Sequence, residues 1–321
     1  MTPDSLATLS DSLFSVAVAL YSVAVVAFCA QLAFGRRPAR TPELVGAGAA
    51  DRAAPAAPGA ATEEDARGRR WGSIAMGLTI LGAVAHAGVL VARGMATDRL
   101  PWGNMYEFST ATVFVAVVAY VVLAVRAPGL RHIGLFVLAP VVLSLVAIGL
   151  RLYAEAGPVV AALRSSWLAI HVSTAIIGFG VFFVSGIASA LFLLRSRYET
   201  RLADGGAPET GIVSRLPGAG VLDRVAHRTA VFGFPIWTFA VIAGAIWAEA
   251  AWGRFWGWDP KETWAFIAWV VYAAYLHART TAGWRGRPAA WVNVVGLAVM
   301  IFNLTFVNMV STGLHSYAGV S

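Results

Sequence analysis

WLAIHVSTAIIGFGVFFVSGIASALFLL, residues 167–194, runs for 28 positions without an Asp, Glu, Lys or Arg. As an α-helix it would be about 42 Å long, more than the ~30 Å hydrocarbon core of a bilayer. Runs of the same character recur along the chain, and we read eight spans, at about 12–34, 72–92, 106–125, 133–150, 167–194, 229–250, 264–280 and 289–310. The composition agrees: of 321 residues 58% are hydrophobic and only 13% charged, where a soluble domain carries about 25% charged residues. A soluble fold of this length cannot hide so much apolar surface. The expected fold is an all-α integral membrane protein, a polytopic bundle of about eight transmembrane helices.

The net charge of +7 is explained by where the cations fall. With eight spans both termini share one side. Eighteen of the 24 Lys and Arg lie in the loops 35–71, 126–132, 195–228 and 278–288, and six lie on the opposite face. The positive-inside rule then puts both termini on the outer face. The basic charge is a topology signal with some attraction to membrane lipid, and no nucleic acid is expected as a partner. Asp4 and Asp11 stand where a signal peptide would carry a basic n-region, so none is expected. Cys29 is the single cysteine and lies in the first span, which excludes a disulfide framework, a CxxC pair or a CxxCH on this chain.

Three stretches organise the chain. Residues 1–37 hold the outer N-terminus and the first span. Residues 38–71 form a cytoplasmic loop whose Ala, Gly and Pro content predicts flexibility. Residues 72–321 form the main membrane domain. A second inner loop, 196–224, ends in RLPGAGVLDRVAHR, which is expected to lie along the membrane surface. The unusual residues collect in the outer connections: LPWGNMYEFS (100–109), SSWLAIHVS (165–173), STGLHSY (311–317) and WGRFWGWDPKETW (252–264).

The last of these holds four tryptophans in thirteen residues and the only lysine, Lys261. The plain interpretation of DPKE is a helix start, with Asp259 as N-cap, Pro260 at N1 and Glu262 at N3 of a capping box. Tryptophans beside it would be interface anchors. That accounts for one or two tryptophans and leaves Trp252, Phe255, Trp256 and Trp258, interleaved with Gly253 and Gly257, unexplained. A platform for a flat ligand accounts for all of them, because glycines let the ligand approach the backbone closely.

This knot resembles the WWD motif of the haem-handling proteins of cytochrome c maturation. Within that group the chain is similar to the CcsA/ResC type, the integral-membrane half of the system II cytochrome c synthetase. GNMYE (103–107), SWLAIHV (166–172), GFPIWTFAVIAGAIWAEAAWG (233–253), WVVYAAYLH (269–277), GWRG (283–286) and GLHSY (313–317) match in family order. The resemblance covers roughly residues 72 to 317. System I proteins share the knot but differ in length and number of spans. The resemblance implies a haem-handling membrane domain, haem b as the group handled, a Ccs1/ResB-type (CcsB) membrane partner subunit, apocytochromes c as clients and a thiol-reducing thioredoxin-like protein. It also implies the bacterial cytoplasmic membrane as the location.

Six histidines are present. His171, in the first turn of span five, and His315, just past the last span, both fall on the outer face beside the platform. Neutral imidazole is a good axial ligand for haem iron, so the pair suits a haem held against the tryptophans. The resemblance assigns the same two residues. His277 lies thirteen residues after Trp264, roughly 20 Å deeper along a helix, and cannot serve the same haem. The resemblance makes it the ligand of a second, intramembrane haem whose opposite ligand comes from the partner subunit. His86 is an alternative local partner for it, and His132 and His227 are expected to be interfacial.

By this reading haem passes the His277 site, reaches the outer platform and meets the CxxCH of an apocytochrome, whose thiols add across the vinyl groups. The chain supplies orientation and no nucleophile. Trp252, Trp256, Trp258 and Trp264 would form or shape the platform, Asp259, Pro260 and Glu262 would set its helix, and Arg254 and Lys261 would pair with haem propionates. Asn104, Tyr106 and Glu107 would form another wall or meet the partner. Two other classes fit less of the sequence: a haem transporter or chaperone with no ligation activity of its own, and a cytochrome b-type electron-transfer subunit.

Overall fold

The apolar runs become long helices. A computed structural model describes residues 1–34, 63–158, 165–207 and 211–315, and among them the regular structure is entirely helical. The long helices are α1 (Pro3–Phe34), α2 (Glu63–Thr97), α3 (Met105–Arg126), α4 (Gly134–Arg151), α5 (Ser166–Ala203), α6 (Ala219–Trp252), α7 (Pro260–Thr280) and α8 (Arg287–Leu304), with a single turn, α9 (Phe306–Met309), after the last. Each contains or overlaps one expected span. Seven are long and apolar enough to cross a membrane. The eighth, α7, has 21 residues, about 31 Å of helix, but carries Lys261, Glu262, His277 and Arg279 and is correspondingly more polar. The chain is a multi-pass membrane protein.

Several helix ends depart from the expected spans by extension, whereas α8 stops at Leu304, short of the span expected to reach 310. Of the loop expected at 38–71, residues 38–62 lie outside the described residues, and from Glu63 onward the chain is already α2. α5 continues to Ala203, nine residues beyond the apolar run, and α6 begins at Ala219, so the end of the expected inner loop is helical from there on. Hydropathy marks where a helix leaves the bilayer, not where it stops. Arg, Ala and Leu continue a helix in water as readily as in lipid. Arg195 secures the α5 extension by bonding Glu199 at 2.8 Å and the carbonyls of Val213 and Ser214, each at 2.9 Å.

The bundle has a dense half and a hollow half. α1 lies along α2, α1 packs on α4 and α2 on α3, and α3 and α4 pack on each other. Tyr21, Phe28, Tyr120 and Leu145 are completely buried there. The α5–α6 pair, flanked by α7 and α8, forms the other half. Phe182 and Tyr272 stack at 3.5 Å in its middle, beneath Phe179, Trp237 and Met300. Above that layer the helices enclose a cavity. α8 stops at Leu304, and Thr305 donates its hydroxyl to the Ile301 carbonyl at 2.8 Å, a bond that bends helices. Carbonyls freed at such a break need donors within the protein. Asn308 supplies them to Asn303 and Leu304, at 3.3 and 2.6 Å.

Candidate functional site

The beginnings of α3, α5 and α7 and the ends of α6 and α8 meet at one end of the bundle, which alternation of direction requires of antiparallel neighbours. They enclose two adjoining lobes. The larger, a cavity of about 140 Å³, lies toward α3 and α8, between Trp102, Asn104, Phe108, Trp237 and Asn303. The smaller, about 50 Å³, lies toward the knot, between Gly244, Trp252, Phe255 and Trp256. His171, His315, Trp247 and Lys261 line both. The two histidines predicted as a pair therefore share one site, although 144 residues separate them in the chain.

His171 is mounted rigidly. It sits in the second turn of α5, and its Nδ1 lies 2.7 Å from the Ala240 carbonyl of α6. A carbonyl only accepts, so Nδ1 carries the proton and Nε2 is the basic nitrogen. Gly244, one turn along α6 from Ala240, makes room for the ring: a Cβ there would lie 2.6 Å from its Cε1. The imidazole stacks on Trp247, with centroids 6.1 Å apart and planes 7° from parallel.

His315 is mounted by the knot. Asp259 is the N-cap of α7 and forms the expected capping box with Glu262, which accepts from the Asp259 N–H at 3.1 Å. The same Asp259 carboxylate accepts from Nδ1 of His315 at 2.8 Å and from the Leu314 N–H at 2.7 Å. Burial alone would raise the Asp259 pKa. The hydrogen bond and charge of His315, with the Leu314 and Lys261 N–H donors, outweigh it and hold the carboxyl below its usual range. The carboxylate's contribution to stability is thus full above the ordinary carboxylate pKa and is lost only as pH falls through the lowered value. A carboxylate behind an imidazole fixes its tautomer and raises the basicity of the opposite nitrogen. Trp252 meets His315 edge-on at 4.9 Å, and Trp247 lies 5.8 Å away. Trp247 thus borders both rings.

The other predicted residues divide. Trp252 and Trp256 line the smaller lobe. Trp258 is 65% exposed, adopts a φ of 59° before the Asp259 cap, and lines neither lobe. Trp264 packs on Phe302 at 4.4 Å, also outside the lobes. Arg254 pairs with Glu262 at 3.4 Å. Lys261 faces both lobes and donates to the Asn303 carbonyl at 3.1 Å. Asn104 caps α3 through the Glu107 N–H at 2.9 Å and lines the larger lobe. Tyr106 and Glu107 stand behind that wall. Glu107 is 1% exposed and accepts from Arg93, from Arg99 and from the Gly103 N–H, which secures the turn carrying Trp102.

The remaining histidines lie apart. His277 is exposed on the outer side of α7, and its ring makes no hydrogen bond among the described residues. Arg279, two residues on, pairs instead with Asp223 at 2.5 Å. His86 is fully buried in the other half, its ring nitrogens 3.1 Å from the Thr110 carbonyl and 3.4 Å from the Tyr21 hydroxyl. That arrangement uses both nitrogens between α1, α2 and α3. His132 and His227 are half-buried near helix ends.

Trp102, Trp237, Trp247 and Asn303 are wall residues that reading the sequence left out, and Asp259 holds His315 as well as capping α7. The sequence signal for Trp247 is its place in the same cluster, five residues before Trp252. Chemically, the site offers two imidazoles with their basic nitrogens set by Nδ1 contacts, aromatic walls and one lysine. That donor set fits an iron-bearing planar ring held from both faces.

A family model described as cytochrome c assembly protein matches residues 102–315. The chain is 34% identical over 293 residues to the cytochrome c biogenesis protein CcsA of Gloeobacter violaceus, covering 76% of this chain and 86% of that protein. It is 35% identical over 273 residues to the CcsA of Synechococcus elongatus, covering 72% and 83%. A third similarity, to the CcsA of Parasynechococcus marenigrum, is 42% over 179 residues, covering 51% and 59%.

Proposed function

This chain belongs to the cytochrome c assembly protein family, with a role in cytochrome c maturation, and on that premise we propose that it holds haem b for covalent attachment to the CxxCH segment of apocytochromes c. The observation that carries the proposal is the shared cavity of His171 and His315, each with Nδ1 engaged so that the opposite nitrogen is basic. The two imidazoles ligate the iron while Trp247, Trp252 and Trp256 contact the ring. Each substrate thiol then adds across a vinyl group. The sulfur bonds one vinyl carbon, the thiol proton ends on the other, and no net oxidation occurs. The chain contributes orientation, with several kcal/mol of barrier accessible to that effect, and the histidine of CxxCH takes over one axial position. The thiols must arrive reduced, which is the task of a thioredoxin-like protein. A Ccs1/ResB-type subunit completes the synthase.

The test is replacement of His171 or His315 by Ala in cells that co-express an apocytochrome, with and without the partner subunit. Either change should empty the cavity of haem and abolish cytochrome c assembly, and added imidazole should restore part of both. Normal haem content in the double variant would overturn the assignment.

His277 has a second role in this scheme, as ligand of a transit haem within the membrane. Its exposure on α7 suits a ligand pair completed by the partner subunit, and its distance from the knot, roughly 20 Å along the helix, excludes a share in the outer site. His277→Gln should leave the complex assembled but deplete it of haem, since an amide is a poor iron ligand. A wild-type haem spectrum and stoichiometry would leave the residue without that role.

The cavity end faces away from the cytoplasm in this proposal, in a bacterial cytoplasmic membrane with both termini outside. Reporter fusions after Arg201 should read cytoplasmic and those after Ser316 external. The opposite pattern would put the cavity on the wrong side for extracytoplasmic clients.

A further inference from the structure

On the far side of Trp102 from the cavity lies a second space. It is a cleft of about 570 Å³ between the turn that ends α2 and the start of α5, with Thr97, Asp98, Arg99 and Leu100 on one bank and Ser165 and Ser166 on the other. Trp102, Gly103 and Leu168 line both the cleft and the larger lobe, so the turn that carries Trp102 is a thin partition between them. The partition is pinned. Arg99 donates to Glu107 at 2.6 Å and to the Gly157 carbonyl at 3.0 Å, which ties the turn to α3 and to the connection that follows α4. Glu107 also accepts from the Gly103 N–H at 2.8 Å. One polar group of the partition is uncommitted: the indole N–H of Trp102 is buried and meets no acceptor among the described residues. A buried donor left in that state costs about 1–3 kcal/mol.

The smaller lobe has a different rim, made by the exposed Phe255 and by Trp256. The two rims differ in chemistry. A polypeptide brings backbone N–H and C=O groups that need partners once water leaves. The cleft supplies both kinds: the exposed Asp98 carboxylate accepts, and the Ser166 hydroxyl and the Trp102 indole N–H donate. Ser165 accepts from the Trp167 N–H at 3.2 Å and keeps its own O–H as a donor. The aromatic side chains of the other rim match a flat apolar group better than a peptide. We propose that the cleft receives the client polypeptide around its CxxCH, along the bank of Ser165 and Ser166, and that the thiols pass Trp102 to reach the larger lobe. The inference rests on the proposed function and adds where the client lies. A cleft whose banks are already pinned spares the complex part of the ordering cost of association.

Cys29 is the chain's single cysteine, so in a Cys29→Ala background each new cysteine reports one place. Leu100→Cys and Ser166→Cys put thiols on the two banks, and Phe255→Cys puts one at the aromatic rim; all three positions are exposed. Membranes holding the full chain and its partner subunit are given an apocytochrome c whose CxxCH sulfurs carry thionitrobenzoate. The chain's thiolate attacks the client sulfur, thionitrobenzoate leaves, and a mixed disulfide forms with no net oxidation. Each rate is divided by that of the same variant with a small activated disulfide, which removes differences in thiol reactivity. Docking should make the normalised rates on the banks at least about tenfold higher than at the rim, because a docked partner reacts at a raised effective concentration. Ser166→Trp, which fills the cleft, should raise the KM for the client about tenfold while kcat and the bound-haem spectrum stay unchanged, the pattern of lost substrate binding. Equal or faster trapping at Phe255→Cys overturns the proposal, and so does an unchanged KM in Ser166→Trp. Both results leave the haem reading intact, which the haem content of wild type tests separately.

Discussion

His171 and His315 line the same cavity from opposite kinds of support. His171 projects from a continuous helix and leans on the backbone of another, so two long, extensively packed elements fix its position. His315 follows the last helix and is held by side chains, the Trp252 and Trp247 rings beside it and the Asp259 carboxylate on its Nδ1, which is also committed to the cap of α7. Backbone support cannot be removed by changing a side chain and is disturbed only by intrusion. Side-chain support can be removed by replacing one atom. The same ligand chemistry is thus robust on one side of the cavity and conditional on the other.

The largest effect should come from the conditional side. Asn caps a helix about as well as Asp, so Asp259→Asn should leave α7 and the helical content intact while weakening the support of His315. Loss of such a partner costs about 10–100-fold in metal affinity, and a haem titration of the variant should show a loss in that range. Unchanged affinity would mean that the carboxylate is not what holds the imidazole. Intrusion tests the robust side. Gly244→Ala puts a methyl 2.7 Å from Nδ1 of His171, between helices that have little freedom to move, and should cost about 1–3 kcal/mol in stability together with weakened haem binding. Gly313→Ala makes a comparable clash, 2.4 Å from Asp259 Oδ2, but on an exposed segment after the last helix that can yield. It should be the milder of the two, and the reverse order would refute the contrast. Trp252→Ala removes the ring that touches both Trp247 and His315 and should cost about 0.5–1.5 kcal/mol beyond lost burial. Trp258→Ala lies at the end of the scale. Its side chain is exposed and lines neither lobe, so the change in haem affinity should be under about 0.5 kcal/mol, as for ordinary surface positions.

How far the sequence reveals this molecule differs with the question. The helices were legible because a bilayer imposes a minimum apolar length, and each of the eight runs became a helix. Their ends were not, since α2, α5 and α6 run into polar sequence that hydropathy scores as loop. The two histidines were legible from their placement at the ends of spans on one face. The roles within the knot were less so. Four tryptophans look alike in the string, yet Trp252 and Trp256 turn toward the cavity while Trp258 and Trp264 do not, because the αL conformation at Trp258 and the first turn of α7 send them elsewhere. Trp102 and Asn303 carry no local signal, because walls are made by packing between distant segments. Asp259 was recognised as a cap. Its second task depends on where residue 315 arrives, which no local pattern encodes.

That second task has a consequence for biosynthesis. Asp259 and Leu314 are 55 residues apart, and the segment between them must fold into a helical hairpin before the carboxylate can meet its last donors. Translation proceeds from the N-terminus, so Asp259, the knot and every long helix described above are made before His315 leaves the ribosome. Until then the nascent chain has aromatic walls and His171 but lacks the second imidazole of the cavity. A chain whose synthesis stops early retains nearly all of the membrane fold and fails at this one step. Under the proposed function the final residues of the site act as a completion signal, because both imidazoles face the cavity only when they have docked.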